Sequence, residues 1–384
     1  MNGQYNEPKL IVMLGVHPHS KHHGGVYEVI EIYRRGGLFA RWPIVYIGTV
    51  ASGGSLTKIR IAAAALWSYL RVLSTRRVTL VHVHTASRAS FWRKSVFMLI
   101  ALAARRKVIL HLHGAEFATF YTHECGRLRQ WLIRFVLDRV DSVVVLSSQW
   151  KTLISEIAPT ANVSKIFNPV PAPALHGVRR LDNVLLFLGR FGQRKGVFDL
   201  LEALTAIRVR FPGIKLWCGG DGDREAVQTR VRELGLCDCV EVLGWVSGRE
   251  KEQVLAEATI YVAPSHAEGL PMGVLEAMAA GAPIVATTAG GIPDAVEDGV
   301  EGFLVAPLDT DALADRIIRL LENPELRSAF AAAASRKARE QFGIETVLAR
   351  VEALYASLGA LPRNPPTRNH GVNEGGEARK GAPA

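Results

Sequence analysis

Apolar and polar positions follow two rhythms along this chain. Short runs rich in β-branched residues are each followed by a longer stretch in which apolar positions recur at helical spacing, and the pair repeats from one end to the other. That order of elements marks α/β units that build parallel sheets. It occurs twice. In the first half the runs predict strands at 10–14, 44–47, 80–83, 108–112 and 142–146; in the second half, at 184–188, 214–217, 240–243, 260–263, 283–286 and 302–305. Between the halves lies Asn168-Pro169-Val170-Pro171-Ala172-Pro173. Three prolines so close remove backbone donors and exclude helix, as an interdomain linker requires.

Residues 1–172 and 173–343 are therefore expected to form two doubly wound α/β domains, with a last helix over 344–360 packing back on the first. The polar, Gly/Pro-rich stretch 361–384 is expected to be disordered. Two such domains side by side create a cleft at the carboxyl ends of both sheets, where folds of this kind bind ligands.

Composition agrees with this division and narrows the function. A chain of 384 residues exceeds what one core usually organises, and 48% apolar residues is globular. The four cysteines form no CxxC pair, so neither a disulfide framework nor a structural zinc site is indicated, and a cytoplasmic location is expected. The apolar run at 10–16 is too short for a signal peptide, and the longest uncharged apolar stretch, 96–104, is about half of the roughly 20 residues a membrane span needs. Charge is lopsided. Residues 1–180 carry 24 Lys and Arg against 8 Asp and Glu, whereas the remainder carries 22 against 28. An anionic partner belongs with the first half.

The candidate chemistry gathers in two loops of the second half. After the run 260–263 comes Glu268-Gly269-Leu270-Pro271, then the helix-compatible Met272-Gly273-Val274-Leu275-Glu276. Proline is tolerated in a first helical turn, glycine lets the backbone approach a ligand closely, and the free amides near Leu270, Met272 and Gly273 suit a diphosphate. Glu268 and Glu276 would flank it, although isolated glutamates at such places are more often ordinary surface charges. The second loop, Gly189-Arg190-Phe191-Gly192-Gln193-Arg194-Lys195-Gly196, can aim Arg190 and Lys195 at phosphate oxygens. Its spacing excludes a P-loop.

Read together, these loops resemble those of the retaining glycosyltransferases of family 4, which have the GT-B fold of two facing Rossmann-like domains. The likeness covers most of residues 10–345. It extends to Gly290-Gly291-Ile292-Pro293, Asp298-Gly299, Gly302 to Val305 and the Gly24-Gly25 pair. The resemblance implies a nucleotide-sugar substrate, UDP- or GDP-linked, with no metal and no cofactor. Its diphosphate would rest on Arg190, Lys195 and the amides of Leu270 to Gly273, with Glu276 on the ribose and Glu268 on hydroxyls of the transferred sugar. Gly24 and Gly25 would approach the phosphates from the first domain, and the loop at Trp245-Val246 would border the base. His113-Gly114-Ala115-Glu116 resembles the segment whose histidine lies near the reacting carbon, so His113 and Glu268 are the catalytic candidates. Lys195→Ala and Glu268→Ala are expected nearly to abolish transfer and to leave folding intact.

Other features admit blander readings. Asp221-Gly222-Asp223 has the look of a metal-binding DxD but reads as a turn after a strand, and His17, His19, His22 and His23 cluster near Gly24 without a metal-ligand pattern. The alternation of His82, His84, His111 and His113 places them on one sheet face. Three basic, aromatic-bearing helical segments of the first half, near 58–77, 88–107 and 127–139, suit either an ordinary sheet cover or an anionic membrane surface. With the donor reading they point to a glycan or lipid-linked acceptor in cell-surface polysaccharide synthesis, on an enzyme that is cytoplasmic or peripheral at the inner membrane. No nucleic-acid module is present. The alternatives are a sugar-nucleotide epimerase on the same fold and a non-catalytic nucleotide-sugar-binding protein.

Overall fold

The computed structural model describes residues 9–363 apart from 18–23, 52 and 176. His19, His22, His23 and the tail from 364 onward lie outside the described residues.

Two six-stranded parallel sheets organise the chain. The first holds β1 (Leu10–Gly15), β2 (Ile44–Gly48), β3 (Val78–Thr85), β4 (Lys107–Leu112), β5 (Ser142–Val145) and β6 (Val163–Lys165), in the order β2-β1-β3-β4-β5-β6. The second holds β7 (Val184–Leu188), β8 (Lys215–Gly219), β9 (Val240–Gly244), β10 (Ile260–Ala263), β11 (Ile284–Thr287) and β12 (Gly302–Val305), in the order β12-β11-β10-β7-β8-β9. Eleven of the twelve strands sit where the apolar runs place them, several a residue or two longer. The exception is β6, which escapes a hydrophobicity reading because it is three partly buried residues at a sheet edge, Val-Ser-Lys.

Helices cover both faces of each sheet, which is why the central strands are apolar throughout instead of alternating. On one face of the first sheet Val81, Val83, Val108, Leu110 and Val143 pack beneath the helices Ser55–Thr75, Ala89–Ala103 and Arg127–Arg139. On the other, Ile11, Met13, Leu80 and Ile109 pack with Val29, Ile30 and Tyr33 of the helix Gly25–Arg35 and with Val347, Leu348, Val351 and Tyr355 of the last helix, Ile344–Ser357. The last helix thus completes the first core although it follows the second sheet in sequence. The chain crosses between the domains twice, and the crossings are tied together by a bridge between Val170 and Gly343, with Val170 N donating to Phe342 O at 2.8 Å.

Each sheet also reverses its direction of winding once. In the first the reversal falls between β1 and β3, in the second between β7 and β10. Loops that leave neighbouring strands to opposite faces open a crevice at such a point.

Candidate active site

A cavity of about 700 Å³ occupies the space between the carboxyl ends of the two sheets, within the range of small-molecule sites. Its walls come from the loops after β1, β3 and β4 on one side and after β7, β8, β9 and β10 on the other. Gly24, Gly25, His113, Arg190, Lys195, Val246, Glu268, Gly269, Leu270, Met272, Gly273 and Glu276 all line it. The two reversal points supply Gly24 and Gly25 after β1, Arg190 and Lys195 after β7 and Glu268 to Gly273 after β10.

The helix Met272–Ala279 begins at the cavity wall. Pro271 stands one position earlier than a first-turn proline, as an extended cap residue with φ −71° and ψ 123°. A proline there costs nothing, since its missing N–H is one the helix could not pair. The amides of Met272 and Gly273 remain at the helix start, where the dipole favours an anion. The loop ahead of the helix is clamped from behind by Gly290, at φ +58°, where a Cβ would lie 1.8 Å from Glu268 O. Gly291 N also donates to Gly269 O at 2.7 Å. Gly269 itself faces the first domain. A Cβ there would lie 3.2 Å from His113 O, so its small size serves the approach of the two domains.

The charged groups line the cavity and also carry protein partners that the sequence does not show. Lys195 does not stand alone before a phosphate; its Nζ donates to Glu268 Oε1 at 2.6 Å, and Ser265 Oγ donates to the same oxygen at 2.7 Å. Arg194, unremarked in the sequence, lies 3.9 Å from Glu268 Oε2 and donates to Ala267 O. Glu268 is 5% exposed. Removing one partner of a buried pair leaves an uncompensated charge and costs about 3–5 kcal/mol. Alanine at either position strands the other partner, so both variants are expected to fold with reduced stability. Glu276 is likewise paired, with Lys251 Nζ at 2.7 Å. Burial raises the Glu276 carboxyl above its usual range, partly offset by Lys251. Lys251 sits in the charge run Arg249-Glu250-Lys251-Glu252, which reads as a solvated helix face, so no sequence signal marks it. Arg190 remains exposed at the cavity wall.

Asp223 is engaged in structure, accepting from Ala226 N at 3.0 Å as the cap of the helix Arg224–Glu233, as the turn reading requires. Trp245 is exposed at the cavity rim and Val246 is buried beside it.

On the first domain's wall His113 follows β4 directly. Its Nε2 is 2.9 Å from His84 Nδ1, and its ring stacks on His111 at 4.3 Å between centroids. Burial drives the His113 pKa down to about 3, so the ring is neutral across the physiological range. At the rim Arg88 bridges Glu116 and Glu124. The arrangement as a whole can hold a dianion at a helix start, present a neutral imidazole across from it and keep two carboxylates fixed by cations.

Two family models match the chain: glycosyl transferases group 1 over residues 182–323, and the glycosyl transferase 4-like domain over residues 23–164. The chain belongs to the glycosyltransferases of family 4. Among relatives of this family 4 glycosyltransferase, the phosphatidyl-myo-inositol mannosyltransferase of Mycobacterium leprae is 32% identical over 237 residues, which is 61% of this chain and 62% of that protein. The D-inositol 3-phosphate glycosyltransferase of Corynebacterium urealyticum is 30% identical over 57% of this chain and 55% of that protein. The matched part is under two thirds of the length of each. Among solved structures, Anabaena HepE in complex with UDP and glucose superposes with a TM-score of 0.73 at 19% identity, covering 91% of this chain and 100% of that one. Sucrose-phosphate synthase from Thermosynechococcus elongatus gives 0.75 at 18%, covering 91% and 99%. The GT-B architecture of this family 4 glycosyltransferase is thus shared with proteins of distant sequence.

Proposed function

We propose that this chain transfers a sugar from a nucleoside-diphosphate sugar, UDP- or GDP-linked, to a glycan or lipid-linked acceptor with retention at the anomeric carbon, in cell-surface polysaccharide synthesis. The observation that carries the reading is the helix start at Met272 and Gly273 facing, across one cavity, the neutral imidazole of His113. In this reading the diphosphate lies against those amides and Arg190, and Glu268, Lys195 and Glu276 with Lys251 hold the sugar and ribose ends. His113 contacts the transferred sugar. Charge that develops on the leaving diphosphate is stabilised by groups already fixed in place, the main catalytic contribution such a site can make. No metal or cofactor has a role in it.

The outer face of the first domain supports a membrane-borne acceptor. The helices Ser55–Thr75, Ala89–Ala103 and Arg127–Arg139 pack side by side there. They carry eight of the fifteen large apolar residues exposed among the described residues, including Leu56, Ile59, Trp67, Leu128 and Trp131. Lys58, Arg60, Arg71, Arg127 and Arg129 are exposed among them. Apolar and aromatic anchors among cations match the interface of an anionic bilayer. No helix of the described residues is long and apolar enough to cross a membrane.

Incubation with UDP-, GDP- and ADP-sugars and a membrane lipid extract, followed by mass spectrometry, tests the proposal. Release of nucleotide with a new glycolipid is expected. Interconversion of the donor without an acceptor would indicate an epimerase, and binding without turnover a non-catalytic protein.

A further inference from the structure

Beneath His113 the first sheet holds a row of buried imidazoles that the reaction as proposed does not use. Strands β3 and β4 pair in parallel with His84 opposite His111, so the side chains of His82, His84, His111 and His113 share one face. That face is covered by Tyr33 and by Tyr355 of the last helix. His82, His84 and His111 are essentially inaccessible, and burial holds all four rings in the neutral form. The potential ligand atoms of His82, His84 and His111 lie within 4.8 Å of one another. A metal ion needs lone pairs that converge on one point. These rings lie side by side instead, with planes 3° apart for His82 and His111 and 29° apart for His84 and His111. Hydrogen bonds between rings, His82 Nε2 to His111 Nδ1 at 3.2 Å and His84 Nδ1 to His113 Nε2 at 2.9 Å, occupy four of their nitrogens.

A neutral imidazole has one N–H donor and one bare acceptor nitrogen, and which is which depends on the partners. For His84 the partners decide it. Its Nδ1 meets His113, whereas its Nε2 is buried without any partner. A buried orphaned N–H is among the rarest and costliest defects in a folded protein, more so than an acceptor with a free lone pair. The proton of His84 therefore sits on Nδ1, which donates to His113 Nε2. His113 Nε2 is then the bare nitrogen, and the His113 proton sits on Nδ1. Because Nε2 is turned to the core and His113 lines the cavity, Nδ1 is the nitrogen left to face the ligand.

We propose that His84 is a positioning residue that fixes His113 as the Nδ1–H tautomer, so that His113 offers the bound sugar a hydrogen-bond donor and not a base. The proposal deepens the reading of the cavity as a sugar-nucleotide site and rests on it for its functional half. Its structural half, the tautomer, stands independently. Stacking of His111 on His113 holds the ring in plane, and the His84 bond selects the proton's position. Lys94 holds the backbone behind them by donating from its buried Nζ to His84 O.

Two measurements on the full chain test this. Protein labelled with 15N at histidine reports each ring's tautomer by NMR, with His113→Asn used to assign its signals. Wild type is expected to show His113 protonated at Nδ1. In His84→Leu, which keeps the volume apolar and removes the donor, nothing pairs His113 Nε2, so the ring is expected to show exchange between its two tautomers in place of a single Nδ1–H form, and kcat to fall about tenfold or more with the donor KM changed less than about twofold. His84→Asn places an amide N–H where Nδ1–H stood. It is expected to retain the Nδ1–H form of His113 and to restore kcat to within about threefold of wild type. A wild-type spectrum with His113 protonated at Nε2 would overturn the proposal, and so would equally low kcat in His84→Asn and His84→Leu when only the former keeps the tautomer. Should His84→Leu fail to fold, the wild-type spectrum and His84→Asn still decide. A wild-type chain that turns over no sugar nucleotide but shows the Nδ1–H form would refute the transferase reading and leave the tautomer standing.

Discussion

The two walls of the cleft are built from sheets of the same size and pairing sense, yet they handle charge in opposite ways. In the second domain, carboxylates enter the cavity already paired, Glu268 with Lys195 and Glu276 with Lys251. In the first, the imidazole that follows β4 is kept neutral by burial, and Gly24 and Gly25, at the start of the helix Gly25–Arg35, add no charge. Net charge runs the other way: the basic excess of the chain lies in the first domain and faces outward from its covering helices. Position relative to the cleft, and not domain charge, tells which wall can meet a phosphate. A diphosphate leaving group and a neutral sugar make different demands, and each wall is suited to one of them.

Glu268→Gln should separate the walls most sharply. The substitution keeps shape and removes the charge that Lys195 compensates. Transfer is expected to fall about 10²–10³-fold, the scale of losing one preorganised electrostatic group. A lowered melting temperature is expected as well, because Lys195 loses its partner. Lys195→Met should cost similarly, and the double variant should be more stable than the sum of the singles implies. Steady-state kinetics with thermal denaturation measures both; additive losses would dissolve the pair as a functional unit. On the opposite wall, His113→Asn is expected to lose about 100-fold in kcat. With the wild-type ring neutral down to about pH 3, the wild-type kcat/KM profile should show no inflection near 6.5 from this residue.

The fold and most of the cavity lining could be read from the sequence because both depend on local signals. Parallel strands announce themselves as apolar runs, and the loops that follow them are marked by glycine, proline and a basic or acidic residue at a fixed distance, as in Glu268 to Glu276. What could not be read is what those side chains touch. Lys195 reaches Glu268 across 73 positions and Lys251 reaches Glu276 across 25, and no periodicity links them. The histidine row is an intermediate case. Alternation placed all four rings on one face, but the meeting of His84 with His113 follows from the register of β3 against β4.

That row gives the first domain an acid sensitivity the second lacks. His82 and His113 titrate at about 3 in the fold, and His84 and His111 are held well below their usual value by burial, against about 6.5 in an unfolded chain. Between those values the unfolded state binds more protons at these rings than the native state, so the stability they contribute is complete above about pH 6.5 and declines as pH falls toward 3. His82 and His113 each contribute about 1.4 kcal/mol per pH unit in that window, and His84 and His111 act in the same direction. Glu276, with its raised carboxyl, works in the other direction but is a single group. Urea denaturation followed at pH 7, 6 and 5 should show a steep loss, and His82→Gln should flatten it. A flat curve in wild type would mean that the imidazoles gain protons inside the fold.

The smallest expected effect concerns the outward face of the first domain. If Trp67, Leu128 and Trp131 rest in a bilayer interface, the protein should float with vesicles containing anionic lipid and less so as salt rises from about 0.05 to 0.5 M, because exposed charges are screened over the Debye length. Replacing Trp67 and Trp131 together by Ser removes two anchors that are 64% and 57% exposed. Flotation should therefore drop several-fold, while transfer to a water-soluble acceptor analogue and the melting temperature stay unchanged. The same replacement at Trp245, which is equally exposed but sits at the cavity rim of the second domain, should leave flotation intact and raise the donor KM. The crossed pattern is what ties membrane contact to one domain and nucleotide contact to the other, and loss of flotation with Trp245→Ser would undo that assignment.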